Sequence, residues 1–293
     1  MSLFLIKLKN IVLDILFPPI CVNCHKTLTN AENDADLRGK FICEQCLNLI
    51  KLNNTLFCPI CRARLAENKK ICSHSYYLLA AAGNYDDPVL QNLIHYFKYK
   101  SFENLAPILG KILIKYLSNL SFTINQQGQK AIFRREALGA LPSLVSERSK
   151  ESAERERRRA ATAGVAATPV LIERWLSGYL IVPIPLHPGR ERERGFNQAK
   201  LLAEITARHF NLPLIDGLKR IKNNKPQAKL KDFEKRIKNI SGCFEIKNPN
   251  FIKGKNIILV DDVFTSGATI NEAVRILKKN CAGKIIAMVI AKT

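Results

Sequence analysis

Residues 257–269 read IILVDDVFTSGAT. An apolar run of strand character ends in two adjacent carboxylates, Asp261 and Asp262, and passes at once into a loop of small and hydroxylated residues. Adjacent like charges at the end of a buried strand are costly unless something binds them. The loop leads into a helical pattern from Thr269 to Asn280, and strand, small-residue loop and helix together make an anion cradle. Backbone N–H groups of Ser266, Gly267, Ala268 and Thr269 can converge on a phosphate at the helix N-terminus, where the dipole favours negative charge.

The hydroxyls of Thr265, Ser266 and Thr269 add donors to that cradle. Asp261 and Asp262 accept only, and suit sugar hydroxyls, a divalent cation, or both. A ligand with a phosphate on one side and a diol on the other is a 5-phosphoribosyl group. The bland alternative is a solvent-exposed Asp pair before an ordinary helix cap.

Working outward, YYLLAAAGNY reads as a strand entering a turn, and Val89, Leu93, Ile94 and Phe97 mark one face of a helix. A second helix falls near Leu105 to Leu117, GYLIVPIPLH is a short buried strand, Asn197 to His209 a helix and KIIAMVIAK a final strand. Apolar strands alternating with helices predict an α/β fold whose parallel sheet is covered on both faces. GYLIVPIPLH should end beside IILVDD, at the carboxyl edge of the sheet where such folds bind ligands. The loop holding Arg190 and Arg194 would then face the cleft, and the planar guanidinium fork suits an anionic ligand. A merely solvated ERER run is the alternative.

Seven of the nine cysteines lie between positions 21 and 72, as the pairs Cys21/Cys24, Cys43/Cys46 and Cys58/Cys61 followed by Cys72 and His74. Two C-x-x-C turns aim four thiolates at one ion, and the eighteen residues between Cys24 and Cys43 fit a zinc ribbon. A second structural zinc would need Cys58, Cys61, Cys72 and His74, the last two at the unusual C-x-H spacing. Either His74 completes that site or the second ribbon has lost its metal. Cys243 and Cys281, isolated in the C-terminal half, read as small buried hydrophobes.

The first residues, MSLFLIKLKNIVLDILFPPI, carry Lys7, Lys9 and Asp14 within the apolar run, and no small-residue cleavage site follows. Leu5, Leu8, Val12, Ile15 and Leu16 recur at helical spacing up to Pro18-Pro19, which predicts a short amphipathic helix. No stretch approaches the roughly 18 to 20 apolar residues of a membrane helix, so the expected setting is cytoplasmic with no membrane span. The formal net charge of +21 suits a polyanionic partner, or else a Lys-rich solvated surface. Lys219 to Lys238 is the densest stretch, with nine basic residues. From about Gly128 to Ser177 the composition switches to Ala and Arg, with eight Arg and one Lys between Arg134 and Arg174. That block reads as a dispensable insertion leaving a surface loop; a nucleic-acid arm centred on Arg155 to Arg159 is the alternative.

IILVDDVFTSGAT resembles the phosphoribosyl pyrophosphate (PRPP) signature of the type I phosphoribosyltransferases. The resemblance implies that Asp261 and Asp262 are the catalytic pair on the ribose hydroxyls, and that Thr265, Ser266, Gly267, Ala268 and Thr269 hold the 5-phosphate. VPIPLHPGRERERGFNQA, HYFKYK (His95 to Lys100) and the run through Pro226, Gln227, Leu230, Arg236, Asn239 and Phe244 resemble the ComF family of competence-associated proteins. The likeness covers nearly the whole chain outside residues 128–177. It implies a helix over 1–19, a double zinc ribbon over 20–75 and a phosphoribosyltransferase-like domain over 76–293. Arg190, Arg194, Gly195, Asn197 and Gln198 then take the pyrophosphate half of PRPP, with Mg²⁺ arriving on the ligand. Two functions remain open: phosphoribosyl transfer, or PRPP-dependent scaffolding in the handling of single-stranded DNA with competence DNA-processing proteins.

Overall fold

A computed structural model describes residues 19–28, 41–65, 75–99, 102–125, 175–224 and 239–293. The predicted N-terminal helix, Cys72, His74, the insertion up to residue 174 and the basic residues 225–238 lie outside the described residues.

The head contributes helix α1 (Glu44–Leu49) and a hairpin of two-residue strands, β1 (Leu56–Phe57) and β2 (Arg64–Leu65). The remaining chain supplies β3 (Leu78–Asn84), α2 (Pro88–Tyr99), α3 (Ala106–Asn125), β4 (Tyr179–Pro183), α4 (Pro188–Arg194) and α5 (Gln198–His209). It continues through β5 (Leu218–Arg220), β6 (Phe244–Ile246), β7 (Asn256–Val260), β8 (Val263–Phe264), α6 (Ala268–Lys279) and β9 (Ile285–Lys292). The main sheet runs β2-β1-β3-β9-β7-β4, with β8 alongside β9. Its four long strands, β3, β9, β7 and β4, are parallel, whereas β1 and β2 pair antiparallel. The boundary expected between residues 75 and 76 therefore runs through one continuous sheet.

Strand side chains alternate between two cores. Ala80, Ile181, Ile258 and Met288 pack on one face with α2, α3 and α5. Leu79, Val182, Leu259 and Ala287 pack on the other with α6. This is why the strands are apolar at nearly every position: both faces are covered. In α6, Ile270, Val274 and Leu277 recur at helical spacing and are buried, each stabilising the fold by about 1.5–3 kcal/mol.

Helix starts follow their sequence signals. Asp87 Oδ1 accepts from the N–H groups of Val89 and Leu90, both at 3.0 Å, and Pro88 opens α2. Asn197 Oδ1 caps α5 by accepting from Ala199 N at 3.0 Å. Two features departed from the expected pattern. The loop between β4 and α5 contains the short helix α4, and β5 with β6 forms a separate two-stranded sheet. Trp175 and Leu176 also pack into the core, Leu176 being 1% exposed. The insertion expected to reach 177 thus overlaps the folded body by these residues.

The winding fixes where a ligand sits. From β4 the chain passes through α5 to Leu214, which bridges in parallel to Ile181 on the outer side of β4. From β7 it passes through α6 to β9, in the opposite direction. The carboxyl ends of β4 and β7 lie side by side, Pro183 opposite Val260. Their divergent connections open a crevice there, the topological switch point of a doubly wound sheet.

Candidate functional site

The acidic pair closes the floor of this crevice. Asp261 N–H donates to Met288 O at 3.0 Å and Ile290 N–H donates to Asp262 O at 2.9 Å, so β9 holds both residues at the sheet's end. Asp262 N–H donates to Asp261 Oδ1 at 2.9 Å. The Asp262 carboxylate is buried and pairs with Lys98 Nζ at 2.8 Å. Lys98 comes from the last turn of α2, brought across the site by the packing of that helix. Burial presses the Lys98 ammonium toward neutrality, but Asp262 and Asp261 more than offset it and its pKa is raised. Asp261 is pushed up to about 7, first by burial and then by the Asp262 charge.

The loop after the pair turns on a single glycine. Gly267 caps α6 with φ +75°, and a Cβ there would stand 2.6 Å from the buried Phe264 ring. Only glycine takes that backbone without strain. Ser266 Oγ accepts from Ala268 N–H at 3.4 Å, and the leading N–H groups of α6 have no intrahelical acceptors. A helix N-terminus thus faces the crevice one loop from two carboxylates.

Cations form the opposite wall. His187 Nδ1 caps α4 by accepting from Gly189 N–H, and Gly195 ends it at φ +83°. Arg190 donates to Asn224 O at 2.8 Å, and Arg194 donates to Gln198 Oε1 at 3.0 Å while standing 5.9 Å from the centre of the Tyr99 ring. Arg220, from β5, lies over Phe244, and its buried Nε has no hydrogen-bond partner among the described residues. Burial lowers its pKa, with Arg190 and Arg194 adding to the effect.

These groups share one cleft of about 350 Å³. All the phosphate, ribose and pyrophosphate residues named from the sequence line it except Gly195, whose part is the turn. Asn197 and Gln198 line it with engaged side chains: Asn197 also donates to Ile184 O, and Gln198 to Phe97 O. Lys98, Tyr99 and Arg220 line it too, and had been given no role. HYFKYK and the basic stretch from Lys219 were the available signals; neither says that its lysine or arginine enters the cleft.

In the head, the sulfurs of Cys21, Cys24, Cys43 and Cys46 all lie within 4.8 Å of one another, Cys24 and Cys43 at 3.7 Å. Four thiolates about 2.3 Å from a shared zinc have this spacing. N–H groups of Cys43, Cys46 and Asn23 point at the sulfurs, as they do at thiolates, so the donor set fits zinc. Cys58 and Cys61 repeat the form of the first knuckle. His25 and Arg62, each just after the second Cys, have φ of 59° and 58°, and their N–H groups donate to Cys21 O and Cys58 O, both at 2.9 Å. Cys243 is buried, as expected, but Cys281 is exposed at φ 59°. It follows the end of α6, where the chain turns toward β9, so no core forms over it.

Residues 197–293 match a family model described as a phosphoribosyl transferase domain. The chain is 44% identical over 117 residues to "Competence protein ComFC" of Bacillus subtilis, covering 39% of this chain and 45% of that one. It is 35% identical over 101 residues to "Competence protein F" of Haemophilus influenzae, covering 34% and 44%. It is 29% identical over 114 residues to "DNA utilization protein YhgH" of Escherichia coli, covering 39% and 49%. The matches span about half the length of these curated relatives. Cleft and sheet define the class: a phosphoribosyl transferase-type α/β domain behind a cysteine-rich head. Over the matched residues the chain is similar to the competence proteins ComFC and F.

Proposed function

We propose that the cleft binds PRPP together with a divalent cation, and that the protein transfers phosphoribosyl groups in a process of natural competence or DNA utilisation. One observation carries this reading: a carboxylate pair and a glycine-capped helix N-terminus face Arg190, Arg194 and Arg220 across a single cleft. The kinds of charge in the cleft suit the ligand. Carboxylates accept from the ribose hydroxyls, the α6 N-terminus takes the 5-phosphate, and the arginines take the pyrophosphate.

In the transfer, the C1–O bond breaks with its electron pair leaving on pyrophosphate. A nitrogen lone pair of the acceptor then bonds to C1, and the acceptor's proton passes to solvent or to a base. Positive charge growing at C1 lies near Asp261 and Asp262, and negative charge on the leaving group lies near the arginines. Mg²⁺ on the pyrophosphate would neutralise part of that charge.

The relatives' names, "Competence protein" and "DNA utilization protein", support a reading in competence or DNA utilisation. Single-stranded DNA is the partner the +21 charge suits, and a reducing cytoplasm is the setting the thiol-rich head suits. Zinc in the four-cysteine cluster would be structural, with all four ligand positions filled by protein.

The test is pyrophosphate release from PRPP and Mg²⁺ with a panel of nitrogenous bases. Release that Asp262→Asn abolishes supports transfer. Tight PRPP binding without release, for any base, would leave a PRPP-dependent scaffold instead.

A further inference from the structure

The loop at Thr265–Gly267 is held from behind by residues of the head. Arg62, in the second cysteine knuckle, donates from Nη2 to Thr265 O at 2.8 Å and from Nη1 to the backbone oxygen of Thr293. Its guanidinium stands 5.7 Å from the centre of the Phe264 ring, the ring that fits against Gly267. One side chain thus clasps the ends of β8 and β9, which pair Phe264 with Lys292. Tyr77, at the start of the sheet, adds a second hold. Its hydroxyl hydrogen-bonds Asn271 Oδ1, and Asn271 N–H donates to Gly267 O at 2.7 Å.

Arg62 reaches the loop because of the knuckle. Its left-handed backbone, φ 58°, and its N–H bond to Cys58 O turn the chain there, and Cys58 N–H closes the turn on Ala63 O at 3.0 Å. Nothing in transferase chemistry needs an arginine at that place, and Arg62 is not among the residues lining the cleft.

We propose that Arg62 is a positioning residue for the phosphate loop, so that the second cysteine knuckle sets how tightly the cleft holds a sugar 5-phosphate. The proposal rests on reading Thr265–Thr269 as the 5-phosphate site. On that same reading pyrophosphate is held by the arginines rather than by this loop, and it serves as an internal control.

The test is calorimetric titration of the full chain with ribose 5-phosphate and, separately, with inorganic pyrophosphate. Arg62→Ala is expected to weaken ribose 5-phosphate about tenfold, the worth of one charge-assisted hydrogen bond, and to leave pyrophosphate within about twofold. Arg62→Lys, which keeps the charge but not the fork, should recover part of the loss. Cys61→Ser, which loosens the knuckle, should show the same selective loss. If the unaltered chain does not bind ribose 5-phosphate, the phosphate-loop reading falls and this proposal with it. If it binds and Arg62→Ala matches it, or loses both ligands equally, the positioning role alone is overturned. Loss in Arg62→Ala without loss in Cys61→Ser overturns the link to the knuckle.

Discussion

Lys98 Nζ stands 2.8 Å from Asp262 Oδ1, a partly buried ion pair built between the end of α2 and the loop that follows β7. The ligand-free cleft therefore carries its own cation on the acidic pair. A divalent cation or a ribose diol approaching Asp262 has to displace or share that ammonium.

Lys98→Met should expose the cost of leaving the Asp262 carboxylate without its partner, at most about 3–5 kcal/mol and less for a pair that solvent partly reaches. Melting temperature should fall, and millimolar Mg²⁺ should raise it more in the variant than in the unaltered chain. Equal Mg²⁺ effects in both would show that the ammonium and the metal do not compete for Asp262.

Asp261 gives a pH dependence of opposite sense to that of an exposed aspartate. Its pKa rises from the ordinary value of 3.8 to about 7 in the fold. Between these values the folded state binds more protons than the unfolded one, so this residue's contribution falls as pH rises from about 4 to about 7. Denaturant titrations should show Asp261→Asn gaining stability relative to the unaltered chain over that window. A constant difference across it would contradict the assignment.

Gly267→Ala should lose more than about 1 kcal/mol of stability, because the φ of +75° is strained for alanine and the added Cβ meets Phe264. Ribose 5-phosphate affinity should fall in the same variant, read by calorimetry.

Removal of residues 128–174 should leave a folded protein, since α3 and Trp175 bracket the segment. Extending the deletion to 177 also removes the buried Leu176, at a cost of about 2–5 kcal/mol. Comparing the two melting temperatures locates the end of the insertion.

The long elements were legible because each carries its own period. Ile257–Val260 and Ile285–Ala291 read as buried strands without reference to anything else. The helical patterns read from Asn197 to His209 and from Thr269 to Asn280 correspond to α5 and α6 within a residue or so at each end. The hairpin strands β1 and β2, two residues each, have too little length to show a period, so their joining of the main sheet was not visible. Helix α4 was hidden for a different reason: its PGRERER sequence is polar on every face and buries nothing. Within the cleft, Asp261, Asp262 and the following loop are contiguous in sequence, and a local motif could disclose them. Lys98 and Arg220 arrive from α2 and β5, and Arg62 reaches behind from the head. Only the packing of distant segments brings such residues together, and no local spacing encodes it.

The central claim is that one cleft binds PRPP through the acidic pair and the glycine-capped helix. Isothermal titration of the full chain with PRPP and Mg²⁺ tests it most directly, beside Asp262→Asn and Gly267→Ala. Saturable one-to-one binding in the unaltered chain, weakened at least about tenfold in each variant, is the predicted result. Absence of binding in the unaltered chain, or equal affinity in all three proteins, would contradict it.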